Sequence, residues 1–139
     1  MRRDATGVCQ QLADSETAGV GLTCLVVDDS EEFLIAAERL LEGQGVSVVG
    51  GTSSSVEAIR LVDDLRPEVV LVDVELGEED GIALAADVAS KHPEMAVILI
   101  SVRDRGEVAE LTATSGVAGF LRKNAISAAA ISDLMSGRG

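Results

Sequence analysis

Basic residues are scarce in this chain of 139 residues: 11 lysines and arginines stand against 24 aspartates and glutamates, for a formal net charge of -13. That balance repels phosphate backbones and offers them no positive footprint, which argues against direct nucleic-acid binding. Long apolar runs are also missing. The most apolar stretches, such as Ala96 to Ile100, fall far short of the roughly 20 residues a bilayer span requires. The opening segment, Met1 to Gly21, carries Arg2, Arg3, Asp4, Asp14 and Glu16 among small residues and has no signal-peptide core. A soluble, cytoplasmic protein without membrane attachment is the expectation. Cysteine occurs only as Cys9 and Cys24, in neither a CxxC pair nor a disulfide framework, and both thiols read as structural. With His92 as the one histidine, no nitrogen and sulfur cluster is available for zinc, and no histidine pairs with a Ser or Cys nucleophile. His92 itself, beside Pro93 near an expected helix end, reads as structural. No GxGxxG follows the first apolar run, which removes a dinucleotide-binding reading, and no internal repeat is present.

What the chain does have is enough apolar content, 47%, to build one continuous core. Five short runs rich in Val, Ile and Leu recur at Leu22 to Val27, Val46 to Val49, Val69 to Val72, Ala96 to Ile100 and Gly119 to Leu121. Each predicts a buried strand. Between them the spacing turns helical: Phe33, Ala36, Ala37, Leu40 and Leu41 place one apolar stripe on a helix of about 12 residues. Ser30 and Ser54 are candidate N-caps, and Glu57 supplies a capping-box acid for the second. Gly43 and Gly45 punctuate the end of the first helix, Pro67 and Pro93 stop helices ahead of the next strands, and a last helix is expected over Ser127 to Met135. Strand and helix alternation with short links predicts an α/β protein with a doubly wound, five-stranded parallel sheet, since parallel neighbours need right-handed crossovers. Functional groups then gather at the C-terminal ends of the strands.

At those ends stand Asp28 and Asp29, Asp73, Ser101 and Lys123. Taken singly, the aspartates read as solvated turn residues, Lys123 as a surface charge and Phe120 as a core aromatic. The ordered set points elsewhere. Three carboxylates brought together repel one another by roughly 4 kcal/mol per close pair at an effective dielectric of 20. A divalent cation relieves this, and oxygen-only ligands suit Mg2+ better than zinc. An ionised carboxylate can attack a phosphoryl group to give an aspartyl phosphate while Mg2+ and a lysine ammonium neutralise charge on the transferred oxygens. Asp73, Mg2+ and Lys123 fit those roles.

The segments LVVDDS, VVLVDVELGEEDG, VILIS and GFLRK, in that order and at these spacings, resemble the receiver domain of bacterial response regulators of two-component signalling over about Leu22 to Met135. The resemblance implies the flavodoxin-like sheet order 2-1-3-4-5. It implies that Asp28, Asp29, Asp73 and the main-chain carbonyl of Glu75 hold Mg2+, and that Asp73 is phosphorylated by a sensor histidine kinase or phosphotransfer protein. Lys123 and Ser101 then assist, and Ser101 and Phe120 form a switch pair: the Ser101 hydroxyl follows the new phosphoryl group and Phe120 rotates into the vacated space. The change would be read on the face formed by the fourth helix, fifth strand and fifth helix, by an output protein or a second copy of the chain. Kinase specificity is expected on the first helix, around Glu31 to Leu41. The domain is expected over 22–136, with a mobile N-terminal tail over 1–21 and a short C-terminal tail over 137–139.

Gly77 stands where the family commonly has proline, and Asn124 replaces the proline that often follows the lysine, so these loops are expected to be less rigid and no cis peptide is expected there. The run from Lys123 to Ser127 resembles receivers fused to helix-turn-helix output domains, yet the sequence stops at Gly139. It reads as a stand-alone or an excised receiver. Glu75 and Arg103, each two positions beyond a site residue, are expected to pair across the mouth of the site and hinder the attacking water. Glu78, Glu79 and Asp80 read as a solvated charge run. A receiver is not itself an enzyme. An aspartate-nucleophile phosphohydrolase would want DxD where this chain has Asp28-Asp29-Ser30, and the remaining alternative is a degenerate receiver that binds proteins without being phosphorylated.

Overall fold

In the computed structural model of the protein, residues 21–102 and 116–136 are described. The expected tails, Arg103 and the expected fourth helix lie outside the described residues, apart from Gly21. The elements run β1 (Thr23–Val27), α1 (Glu31–Gly43), β2 (Ser47–Thr52), α2 (Ser55–Leu65), β3 (Val69–Asp73), β4 (Glu75–Leu76), β5 (Glu79–Asp80), α3 (Gly81–Lys91), β6 (Ala96–Ser101), β7 (Gly119–Arg122), a 3-10 turn (Lys123–Ala125) and the closing helix α4 (Ala128–Met135). Five strands form a parallel sheet in the order β2-β1-β3-β6-β7, while β4 and β5 pair as a minor antiparallel hairpin. Leaving that hairpin out of the count, the order is the expected 2-1-3-4-5.

Alternation along the inner strands assigns each side chain to a face. Leu25, Val27, Val70, Val72, Val97 and Leu99 pack with Ala58 and Val62 of α2 and with Leu84, Ala85 and Val88 of α3. Cys24, Val26, Val69, Leu71, Ile98 and Ile100 pack with Leu41 of α1 and with Ile131 and Leu134 of α4. Burial on both faces is why β1, β3 and β6 read as unbroken apolar runs. Each fully buried Val, Leu or Ile contributes about 1.5–3 kcal/mol relative to exposure. No helix among the described residues is long and apolar enough to cross a membrane.

Capping follows the sequence closely. Ser30 Oγ accepts from the Phe33 amide at 3.2 Å, Ser54 Oγ from the Glu57 amide at 3.2 Å, and Ser127 Oγ from the Ala130 amide at 3.0 Å. The capping box at Ser54 is only half made: the Ser54 amide donates to Thr52 Oγ1 at 3.1 Å, and Glu57 turns to Arg60 at 2.8 Å. The second strand also differs from expectation. Val46 belongs to the turn, its amide bonding Leu41 O at 2.9 Å, and the strand continues through Gly50 and Gly51 to Thr52. Alternation could not be followed there because the two glycines carry no side chain and the ladder slips one residue between Cys24 and Leu25.

The acidic run after β3 is exposed, as expected, but two of its residues also make structural contacts. Glu79 sits in the hairpin and its Oε1 accepts from the Ser55 amide at the start of α2, at 2.9 Å. Asp80 caps α3, its Oδ1 accepting from Ile82 and Ala83 amides. Leu76 is buried in the core, and Gly77 takes a positive φ of 61° that the turn between β4 and β5 requires. The peptides after Lys123 contain no cis bond. Gly81 meets the Asp73 backbone so closely that a β-carbon there would lie 1.7 Å from Asp73 O. Gly81→Ala is therefore expected to lower the unfolding free energy by at least the ~1–3 kcal/mol typical of overpacking, seen as a lower midpoint in urea unfolding. An unchanged midpoint would show that this contact is not a constraint.

Candidate functional site

The strand ends deliver the expected side chains to one place. Asp28 follows β1 and is fully buried, Asp73 ends β3 and is 5% exposed, Ser101 ends β6 and is 2% exposed, and Lys123 opens the turn after β7. Asp29 is exposed beside them. Carboxylate oxygens of Asp28, Asp29 and Asp73 lie within 4.8 Å of one another. Lys123 Nζ is 2.6 Å from Asp28 Oδ2 and 3.3 Å from Asp73 Oδ2. The other oxygens are held by backbone: Ser30 N donates to Asp28 Oδ1 at 2.8 Å, and Glu75 N donates to Asp73 Oδ1 at 3.1 Å. A cleft of about 400 Å³ opens over Asp29, Asp73, Glu75, Gly77, Ser101 and Lys123.

Charge crowding shows in the titration of these groups. Burial pushes the Asp73 carboxyl above the usual aspartate range, and the nearby Asp28 charge adds to this, against the opposing effects of the Glu75 amide and Lys123. For Lys123, burial works against the ammonium, but the bond to Asp28 and the charges of Asp73 and Asp28 outweigh it and raise its pKa. Lysine therefore stays cationic. Asp28 Oδ2 is buried, and what faces it is the Lys123 ammonium, as an ion pair at 2.6 Å. A buried carboxylate oxygen beside two more carboxylates suits a hard divalent cation such as Mg2+, and the donor set contains no nitrogen or sulfur that would favour zinc.

Phe120 is not part of this polar group. It is 7% exposed and packs in the core on the side of α2 and α3, one strand over from Ser101. The expected Glu75–Arg103 pair involves Arg103, which is outside the described residues. Two contacts were not visible in the sequence. Phe33, read as part of a helical stripe, has Lys123 Nζ 4.7 Å from its ring centroid. Glu79 ties the hairpin beside the site to α2. The scarcity of aromatics, two Phe and no Trp or Tyr, was the one signal that could have drawn attention to Phe33.

A five-stranded parallel sheet with an acidic cleft, a lysine and a hydroxyl at its C-terminal edge defines a doubly wound α/β domain. The response regulator receiver domain model matches residues 24–134, and the chain belongs to that family. It is 34% identical over 102 residues to the protein-glutamate methylesterase/protein-glutamine glutaminase 1 of Saccharophagus degradans, a match covering 72% of this chain and 28% of that protein. It is 29% identical over 102 residues to the response regulator GacA of Pseudomonas viridiflava, covering 73% of this chain and 48% of that one. The chain thus spans less than half the length of either relative. Among solved structures, the signal receiver domain of a modulated diguanylate cyclase from Desulfovibrio desulfuricans G20 superposes with a TM-score of 0.69 at 28% identity, covering 83% of this chain and 90% of that one.

Because burial and Asp28 disfavour the Asp73 charge, Asp73→Asn is expected to unfold at a higher temperature than wild type at neutral pH in EDTA. The folded-state pKa lies above the unfolded value of about 3.9. Wild type therefore carries no penalty below that pH and loses stability as pH rises through the Asp73 titration. The gap should open over that interval and narrow when Mg2+ stabilises the wild type, as followed by calorimetry. A variant no more stable than wild type at any pH would contradict this account of the site.

Proposed function

We propose that Asp73 accepts a phosphoryl group from a sensor histidine kinase or phosphotransfer protein in the cytoplasm, and that the modified domain signals through a changed protein-binding surface. The observation that carries this reading is Lys123 Nζ standing 2.6 Å and 3.3 Å from the carboxylates of Asp28 and Asp73, at the mouth of a cleft that also holds Asp29 and Ser101. The Glu75 amide fixes Asp73 Oδ1, which leaves Oδ2, the oxygen facing Lys123, as the nucleophile. It attacks phosphorus, the bond to the donor imidazole nitrogen breaks, and that nitrogen keeps the electron pair. The product is an acyl phosphate. Lys123, itself only partly exposed, offsets negative charge on the transferred oxygens. Asp28, Asp29, Asp73 and the Glu75 carbonyl would hold Mg2+, which when bound neutralises the remaining charge on the phosphoryl group.

Ser101 then donates its hydroxyl to the new dianion, and Phe120 turns toward the space its loop leaves. The affected face comprises β7 and the closing helix. An output protein or a second copy of the chain reads it there, and the net charge of -13 makes direct contact with nucleic acid the disfavoured outcome.

Incubation with acetyl phosphate and Mg2+ is expected to add one phosphoryl group by intact mass, and the adduct should vanish in Asp73→Asn and in EDTA. No adduct under any condition would reject the reading and favour a phosphorylation-independent binding module. Ser101→Ala should still be phosphorylated, while the amide-shift changes that phosphorylation causes in β7 and the closing helix should be largely lost. If those shifts persist unchanged, Ser101 is not the switch.

A further inference from the structure

The chain contains two aromatic side chains, Phe33 and Phe120, and they pack on opposite faces of the sheet: Phe120 with the α2 and α3 side, Phe33 against the cluster formed with α1 and α4. Phe33 alone of the pair meets the polar site, with its ring face toward the ammonium of Lys123. We propose that Phe33 is a positioning residue for Lys123, its ring face holding the ammonium over Asp73 while Asp28 is engaged elsewhere. The inference deepens the phosphoacceptor reading of Asp73 and rests on it.

Two further observations support the assignment. An ammonium has three donors and attracts any negative surface nearby. Lys123 Nζ has its closest partner in Asp28 Oδ2 at 2.6 Å, a more distant one in Asp73 Oδ2 at 3.3 Å, and the Phe33 ring at 4.7 Å, with the side chain only 17% exposed. Asp28 is also one of the three carboxylates that could hold a divalent cation, so the lysine and that cation would share its charge. A ring face is negative by its quadrupole and binds no Mg2+ in water. It is the contact the lysine keeps when Asp28 is taken.

The placement of Phe33 is also built from the site itself. Ser30 donates its amide to Asp28 Oδ1 at 2.8 Å and accepts the Phe33 amide on its hydroxyl at 3.2 Å. The run Asp28-Asp29-Ser30-Glu31-Glu32-Phe33 is thus one hydrogen-bonded unit that sets a carboxylate and a ring at fixed positions around the same lysine. An aliphatic side chain at position 33 would fill the volume but leave the partly desolvated ammonium facing an apolar wall.

The chain has two lysines, Lys91 and Lys123, so carbon-labelling the lysine ε-position gives two methylene signals, with the exposed Lys91 as internal reference. The ring current of Phe33 is expected to move the Lys123 signal upfield, and Phe33→Leu should move it back downfield while the Lys91 signal stays in place. Mono-, di- and trifluorinated phenylalanine placed at position 33 alone weaken the quadrupole at nearly constant shape. The initial rate of phosphorylation by acetyl phosphate in saturating Mg2+ should fall stepwise, by about threefold to tenfold at the trifluorinated ring, with denaturation midpoints unchanged across the series. A flat rate series, or a Lys123 signal indifferent to Phe33→Leu, would overturn the proposal, since a purely packing role responds to shape and not to fluorination. Should wild type take up no phosphoryl group, the Asp73 reading fails and the role of Phe33 in it fails too, while the lysine signal still reports separately whether the ring sits where the structure has it.

Discussion

A parallel sheet whose inner strands are buried on both faces has one place to put polar groups, the edge where the strands run out, and there it must reconcile like charges. In this protein Asp28 and Asp73 end up side by side, one fully buried and the other nearly so, with Asp29 next to them. The Lys123 ammonium, close to both, offsets their mutual repulsion. Much of the local architecture serves this reconciliation. Backbone amides of Ser30 and Glu75 each take one carboxylate oxygen, so the oxygens that remain face the lysine and the cleft. The pairs are well placed but not relaxed: the Asp73 carboxyl still titrates above its usual range. A site where like charges crowd together has much to gain from a cation or a new covalent partner.

Which parts of this were legible in the sequence follows from how each residue is determined. The inner strands were, because burial on both faces leaves an uninterrupted apolar run, as in Val69 to Val72. The positions of Asp28, Asp73, Ser101 and Lys123 were legible too, since each simply terminates or follows a strand and the topology brings the ends together. The extent of β2 was not: Gly50 and Gly51 pair through backbone alone and leave no pattern to read. Nor was the role of Glu79. In a row of charges it looks like any solvated acid, and only the fold brings it to the start of α2. Phe33 satisfied a local rule, helical spacing, so completely that nothing in the sequence asked for a second explanation.

The short hairpin after β3 shows how a departure from family habit is compensated. Glycine at position 77 gives up the stiffness of a proline, but the turn is closed by β4–β5 pairing, anchored inward by Leu76 and tied outward by Glu79. Asp80 and Gly81 then begin α3 directly against the Asp73 backbone. Several contacts thus hold the turn on either side of the Glu75 amide, which donates to the Asp73 carboxylate.

The sheet order also sets the mechanical character of the site. Asp73 is carried by β3, which is bonded to a neighbour on each side, and Asp28 follows β1, which is likewise flanked on both sides. Lys123 follows β7, an edge strand joined to β6 through four residue pairs. The anions are therefore mounted on strands paired on both sides and the cation on a strand paired on one. Backbone hydrogen bonds hold the two carboxylates in register from both flanks, while the lysine reaches them from the rim of the sheet.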